Sequence, residues 1–254
     1  MAAWRANRFH PWGPAGRRPG VRVWPSLMAT FQTPGSLYTG GMSLTCVAIS
    51  DTHCRHDAID VPMADVLIHA GDFLSRGTQA ELEPFVAWWL AQPHPHKVII
   101  AGNHDRCLES HPELARHFEA PGVHYLQDSG VTIAGVEFWG SPWTPEFYNW
   151  SFMLPRGGPL AERWQHIPAT TDVVITHGPP AGLGDRCHDG REVGCVDLGL
   201  RLEQVAPKFH ISGHIHEGYG TRHRGATTFI NASCCDLFYR AVQPPVMFEV
   251  GTDA

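Results

Sequence analysis

The sequence predicts a layered α/β domain with antiparallel additions, and three observations lead to it. Short apolar runs rich in Val and Ile recur from Ser43 onward, each followed at once by small residues and then by Asp, Asn or His. Helical patterns separate these runs, and a hairpin pattern stands in the middle of the chain. Continuous apolar runs of this length suit strands buried on both faces. Ligand-type residues at the carboxyl ends of such strands are where open α/β sheets gather their sites.

The first run, Cys46-Val47-Ala48-Ile49-Ser50, leads into Asp51-Thr52-His53, and Val66-Leu67-Ile68-His69-Ala70 leads into Gly71-Asp72. Thr78 and Glu81 then fit a capping box, and Leu82, Phe85, Val86, Trp89 and Leu90 follow at the spacing of one helix face until Pro93 and Pro95 stop it. Val98-Ile99-Ile100-Ala101 ends in Gly102-Asn103-His104-Asp105, and residues 111–119 look helical. Val131-Thr132-Ile133 and Val136-Glu137-Phe138-Trp139, joined by Ala134-Gly135, read as a hairpin. Val173-Val174-Ile175-Thr176 precedes His177-Gly178, a helix is expected over 195–204, and Phe209-His210-Ile211-Ser212 precedes Gly213-His214-Ile215-His216. Closing strands are expected at 227–231 and 246–250. One domain over residues 42–254 accounts for all of these motifs.

Residues 1–41 stand apart. They hold five Arg, five Pro, six Gly and three Trp, with no acidic residue and no period. Such a stretch cannot supply an amphipathic element, so a disordered or loosely attached extension is expected. It reads as the product of an upstream start, Met42 standing directly before the first strand, in preference to an organelle-targeting segment.

Composition narrows the function. Of the 254 residues 43% are hydrophobic and 17% charged, ample for a buried core. No apolar run approaches the ~18–20 residues of a membrane-spanning helix, so no membrane partner is expected. The net charge of −6 divides into +5 over residues 1–41 and −11 over the rest, where 14 Lys and Arg face 25 Asp and Glu. An acidic body argues against binding polymeric nucleic acid. It leaves room for a small anionic substrate if metal ions locally reverse the field. Seven Cys with no CxxC pair read as free thiols in a reducing compartment, the cytoplasm.

The strand-end residues Asp51, His53, Asp72, Asn103, His177, His214 and His216 comprise two carboxylates, one amide and four imidazoles. Mixed oxygen and nitrogen donors suit Mn, Fe or Zn in preference to Mg or Ca. Seven ligands are too many for one tetrahedral ion and enough for two ions sharing a carboxylate. On an extended chain the Asp51-x-His53 spacing would let both side chains reach one ion, and His214-x-His216 would do the same.

These motifs, Asp51-x-His53, Gly71-Asp72, Gly102-Asn103-His104-Asp105, His177 and Gly213-His214-x-His216, resemble the calcineurin-like metallophosphoesterase superfamily. Gly140-Ser141-Pro142-Trp143, Ile175-Thr176-His177-Gly178-Pro179-Pro180, Gly213-His214-Ile215-His216-Glu217-Gly218-Tyr219-Gly220 and Phe229-Ile230-Asn231-Ala232-Ser233 are similar to its metallophosphoesterase-domain subfamily. The resemblance spans residues 43–250 and implies a four-layer α/β/β/α sandwich with mixed sheets. It also implies two divalent ions, Mn favoured, with Asp51, His53 and His216 on one, Asn103, His177 and His214 on the other, and Asp72 on both. Ser75 departs from the Asp or Asn that many members carry three residues after the Gly-Asp aspartate, a position that supports the site from outside.

The reaction expected is hydrolysis of a small phosphoester by a metal-activated hydroxide. His104 is the candidate proton donor to the leaving group, oriented by Asp72 or Asp105. Small phosphodiesters, cyclic nucleotides among them, are the expected substrates; a phosphomonoesterase or protein phosphatase and a non-catalytic interaction module are the alternatives. Arg186 or Arg191, in the Gly-rich loop after His177, is a candidate phosphate contact. Trp143, Phe147, Tyr148 and Trp150 offer surfaces for stacking on a base, although such clusters more often pack in a core. The sequence does not set the oligomeric state.

Overall fold

The computed structural model describes residues 43–251, so the expectations for residues 1–41 lie outside the described residues. The chain opens with β1 (Ser43–Ile49), β2 (Val66–His69), α1 (Gln79–Ala91) and β3 (His96–Ile99). A short α2 (Arg106–Ser110) and a 3-10 helix (Pro112–Phe118) precede β4 (Val123–Tyr125). Next come β5 (Ser129–Ile133), β6 (Val136–Ser141), the two-residue β7 (Thr144–Pro145) and β8 (Met153–Leu154), and α3 (Gly158–Gln165). The chain closes with β9 (Val173–Thr176), α4 (Val196–Val205), β10 (Phe209–Ser212), β11 (Gly220–Arg224), β12 (Thr227–Asn231) and β13 (Val246–Gly251).

Two mixed sheets result. The first has the order β13-β1-β2-β3-β4, parallel except for β13, which runs antiparallel to β1. The second has the order β11-β12-β10-β9-β6-β5, with β11 and β5 as antiparallel edges.

Alternation along each strand builds the layers, because successive side chains leave a strand on opposite faces. From β1, Cys46 and Ala48 join Ile68, Val98, Phe138, Ile175, Ile211 and Ile230 in the core between the sheets. Val47 and Ile49, the alternate residues, pack outward with Leu82, Phe85, Val86 and Trp89 of α1. Val174 of β9 likewise turns outward to Leu160, Trp164, Leu198 and Leu202 of α3 and α4. The order of layers is therefore α/β/β/α, as the resemblance implies.

Local expectations meet the structure unevenly. The Glu81 carboxylate accepts the Thr78 N–H at 3.3 Å and caps α1, but Leu90, counted in its apolar stripe, is 38% exposed. The helix expected over 111–119 forms as the 3-10 helix Pro112–Phe118, set off at His111 from α2, which stops at Ser110. Proline disfavours helical backbone in the residue before it, and His111 takes φ −137° and ψ 75°. All seven cysteines are free. Among the described residues no helix is long and apolar enough to cross a membrane.

Candidate metal centre

The strand-end residues meet at the carboxyl edges of the two sheets. An extended Asp-x-His pair is not what the chain forms there. Asp51, His53, Asp72 and His214 all take left-handed backbone, with φ of 52°, 41°, 58° and 65°. Non-glycine residues adopt that region at a cost and collect at functional sites. Glycine makes the close approach possible: a Cβ on Gly71 would stand 2.7 Å from both the Ala101 carbonyl and His177 Nδ1.

Ligand atoms of Asp51, His53 and His216 lie within 4.8 Å of one another, and so do those of Asp72, His177 and His214. The turn thus divides His214 from His216, which the spacing alone had seated together. Asn103 joins the second cluster, its Oδ1 3.0 Å from His177 Nε2. Asp72 belongs also to a third grouping with His53 and His104, and so stands between the two clusters.

The donor set suits cations. His53 Nδ1 faces the Leu74 carbonyl at 3.2 Å, His216 Nδ1 that of Asp236 at 3.0 Å, and His177 Nδ1 that of Ala70 at 2.9 Å. A carbonyl only accepts, so each Nδ1 carries hydrogen and each Nε2 is left to offer a lone pair. Yet His53 Nε2 and His216 Nε2 are 3.2 Å apart, with Asp51 Oδ1 3.3 Å from the latter. His177 Nε2 faces Asp72 Oδ2 at 3.3 Å. Acceptors converging without a hydrogen between them repel, and a proton or a metal ion relieves them.

The electrostatics agree. Burial pushes His53 down to about 4 and His214 to about 3, which keeps both neutral. Burial opposes charge on His177 too, but the Asp72 carboxylate, helped by Asp51 and the Ala70 carbonyl, more than offsets it and lifts the group to about 9. Asp51 does the same for His216, also to about 9. Asp51 itself lies well below the usual carboxylate range, its burial outweighed by His216, His177 and His53. Each cluster thus pairs a carboxylate with a proton that a divalent ion can displace.

His104 lies beside the centre. Its Nδ1–H donates to the Ser75 carbonyl at 2.6 Å, and its Nε2 faces Asp72 Oδ2 at 4.0 Å. Asp105, offered as its orienter, does not touch it. The Asp105 carboxylate instead accepts the N–H groups of Asp72, Leu74 and Gly102 and holds their loops in place. Ser75 supports the site with its backbone, and its Oγ–H reaches the His53 carbonyl at 2.8 Å.

A pocket of about 200 Å³ stands over the clusters, lined by Asp72, Asn103, His104, Phe147, Trp150, His214, His216, Leu237 and Tyr239. Of the aromatic residues, Trp143 packs against the outer layers, but Phe147 and Trp150 face the site and Tyr148 is 93% exposed. Arg186 is exposed, and Arg191, which lines a neighbouring cleft, is paired with Asp189 through Nε. Sequence reasoning missed Ser233, which donates to Asp51 Oδ2 at 2.8 Å, and Tyr239, whose ring lies 4.6 Å from that of His53. Ser233 follows a strand in the same phrase as the ligands do and was findable on that pattern. Tyr239, in an aperiodic loop, left no signal.

Comparison with known proteins gives the following. The family "Calcineurin-like phosphoesterase" matches residues 44–218. Human metallophosphoesterase domain-containing protein 1 is 41% identical over 230 residues, covering 81% of this chain and 71% of its own. The Caenorhabditis elegans UPF0046 protein K07C11.7 is 39% identical over 220 residues, covering 82% and 75%. Among solved structures, TT1561 of Thermus thermophilus shares the fold at a TM-score of 0.53 and 14% identity, over 84% of this chain and 100% of that one. Phosphopantetheinyl hydrolase from Mycobacterium tuberculosis shares it at 0.52 and 16%, over 74% and 88%.

Proposed function

The chain belongs to the calcineurin-like phosphoesterase family and is a metal-dependent hydrolase of phosphoric esters; from that premise we propose that it cleaves small phosphodiesters, cyclic nucleotides among them. One observation carries the choice of diester: none of the residues lining the pocket over the clusters is Lys or Arg. A phosphomonoester brings a charge of about −1.5 to −2 at neutral pH, whereas a diester brings a single charge. A pocket that adds no Lys or Arg to the charge of its metals favours the smaller one.

In this reading Asp51, His53 and His216 would hold one ion, Asn103, His177 and His214 the other, and Asp72 would serve both, with Mn the favoured metal. Two such ions, when bound, activate water and neutralise the phosphoryl oxygens. His104 supplies what the ions do not. With Nδ1–H fixed on the Ser75 carbonyl, its Nε2 is the atom that gives a proton to the leaving oxygen. The Nδ1–H bonds to Leu74, Ala70 and Asp236 hold the rings of His53, His177 and His216 in their ligating tautomer.

We assign the activity to residues 42–254 and, from the free thiols, to the cytoplasm. A chain beginning at Met42 should match the full chain in Tm and in activity, and a drop of several degrees would overturn that assignment. The diester reading is tested by comparing kcat/KM of the Mn-loaded protein on p-nitrophenyl phosphate and on bis(p-nitrophenyl) phosphate. Diester preference is expected. Monoester preference of roughly tenfold, about 1.4 kcal/mol in the barrier, would make the chain a monoesterase.

A further inference from the structure

The pocket over the clusters does not end at His214. A cleft of about 560 Å³ adjoins it, and Phe147, His214 and Leu237 line both spaces. A space of that size lies within the roughly 300–1,000 Å³ of clefts that bury a small organic ligand. The 200 Å³ over the clusters, about a third of the cleft's volume, suits a phosphoryl group with a small arm. His104, Trp150 and Tyr239 line only the smaller space, so the proton donor stands apart from the cleft.

The walls of the cleft say what it takes. Pro145, Tyr148, Pro179, Val193 and Ile215 supply apolar surface. The basic groups along it are already committed: Arg191 Nε donates to Asp189 at 2.7 Å, and His188 meets Glu217 at 3.2 Å. The two Nη of Arg156 donate to the carbonyls of Gly194 and Val193 at 2.7 and 2.6 Å. Glu146, Asp189 and Glu217 line the same cleft and more than match the charge of Arg156 and Arg191, so a second phosphate meets no net positive surface there. A neutral organic group needs none.

We propose that this asymmetry sorts the two arms of a phosphodiester: the larger, uncharged arm lies in the cleft beyond His214 and stays on phosphorus, while the smaller arm lies beside His104 and leaves. The inference rests on the diester reading. Water adds across one P–O bond, its hydroxide to phosphorus. The electron pair of the broken bond stays on the oxygen of the smaller arm, which takes a proton from His104 Nε2. The proton released by the water returns His104 to its starting state through solvent. The products are the smaller alcohol and the phosphomonoester of the larger one.

Adenosine 5′-methyl phosphate tests this, since both arms are esters of primary alcohols and the leaving groups differ chiefly in size. The Mn-loaded full chain should give 5′-AMP and methanol over adenosine and methyl phosphate by roughly tenfold or more, the discrimination an apolar cleft supplies. Phe147→Ala and Leu237→Ala, at positions 39% and 46% exposed and so outside the core, should each bring the ratio toward one. Hydrolysis giving both product pairs equally, or an excess of methyl phosphate, overturns the sorting and leaves the diester reading standing. An unchanged ratio in both variants removes the cleft from it. If neither this ester nor bis(p-nitrophenyl) phosphate is hydrolysed while the monoester is, the diester reading fails and the sorting falls with it.

Discussion

The indole of Trp150 lies against the imidazole of His104, ring centroids 4.4 Å apart and planes tilted by 30°. The Arg106 guanidinium stands 6.0 Å from the indole centroid, and the Ser75 carbonyl holds His104 Nδ1. Two restraints on one ring, a hydrogen bond at one edge and an aromatic face, leave Nε2 a single direction. On the reading of His104 as proton donor, Trp150 is a positioning residue. Trp150→Ala should lower kcat roughly tenfold, about 1.4 kcal/mol, on esters of poor leaving groups, with a smaller effect on nitrophenyl esters and no change in metal content. Trp150→Phe should restore most of the loss. Equal losses on both substrate types would mean that Trp150 serves the fold and not the proton transfer.

Asp72 stands between the clusters, so its loss should empty both. Asp72→Ala also removes the Oδ1 that accepts the His104 N–H at 2.7 Å, and Asp72→Asn, which keeps that acceptor, is the cleaner variant. Metal bound only by the folded state adds stability by mass action. Manganese should therefore raise Tm in the parent protein and do so weakly or not at all in either variant. Two ions per chain in purified Asp72→Asn would show that the residue does not bridge.

How much of this was legible depended on whether a residue's place is set locally. Asp51, Asp72, Asn103, His177 and His214 each follow an apolar run directly, so a strand and its first turn suffice to place them. That His216 joins Asp51 and His53 depends instead on the two sheets packing face to face, tied by the bridge between Ser50 and Ser233. Spacing along the chain carries no record of that. Phe147 and Trp150 sit between β7 and β8, anchored from afar by Glu109 Oε1, which accepts the Phe152 N–H at 2.9 Å. Leu237 and Tyr239 lie in an aperiodic loop before β13. The direction of such side chains is set by long-range contacts, so their part in the pocket emerged only with the fold. Helix α3, eight residues long and opened by Gly157 with φ 86°, and the polar edge strand β11 escaped for a related reason: neither repeats an apolar pattern long enough to register.

A buried histidine away from the metal centre should make the protein acid-sensitive. His210 Nε2 meets Thr176 Oγ1 at 2.8 Å, and Thr176 donates onward to the Gly178 carbonyl, next to His177. The hydroxyl's hydrogen is thereby committed, so Nε2 donates to it and the ring is neutral. Burial lowers the group from 6.5 to about 3. Between these values the unfolded chain holds a proton that the native state does not, so stability falls as pH drops below 6.5. The loss is about 2 kcal/mol from neutral pH to pH 5. His210→Gln keeps a donor and cannot titrate. Urea unfolding at both pH values should show the variant losing about 2 kcal/mol less than the parent protein, and equal losses would show that His210 is protonated in the native state or does not titrate on unfolding.

The final prediction separates chemistry from support at His104. A proton donor matters in proportion to how badly the leaving oxygen needs the proton. A nucleoside alkoxide is a strong base and cannot depart without one, whereas a nitrophenolate departs with little help. His104 supplies none of the lone pairs in the two clusters formed by Asp51, His53 and His216 and by Asp72, His177 and His214. Its backbone N–H to Asp72 survives any substitution except proline. His104→Ala should therefore keep both metals. Its kcat/KM on a cyclic nucleotide should fall by roughly 10²–10⁴, the usual range for general acid catalysis, with a clearly smaller fall on bis(p-nitrophenyl) phosphate. Equal falls with the metals in place would make His104 an electrostatic partner of the phosphoryl oxygens. Because His53, Asp72 and His104 also lie close enough to form a third cluster, metal content is the deciding control: a variant that loses an ion would mark His104 as a ligand and leave the leaving group without a donor from this chain.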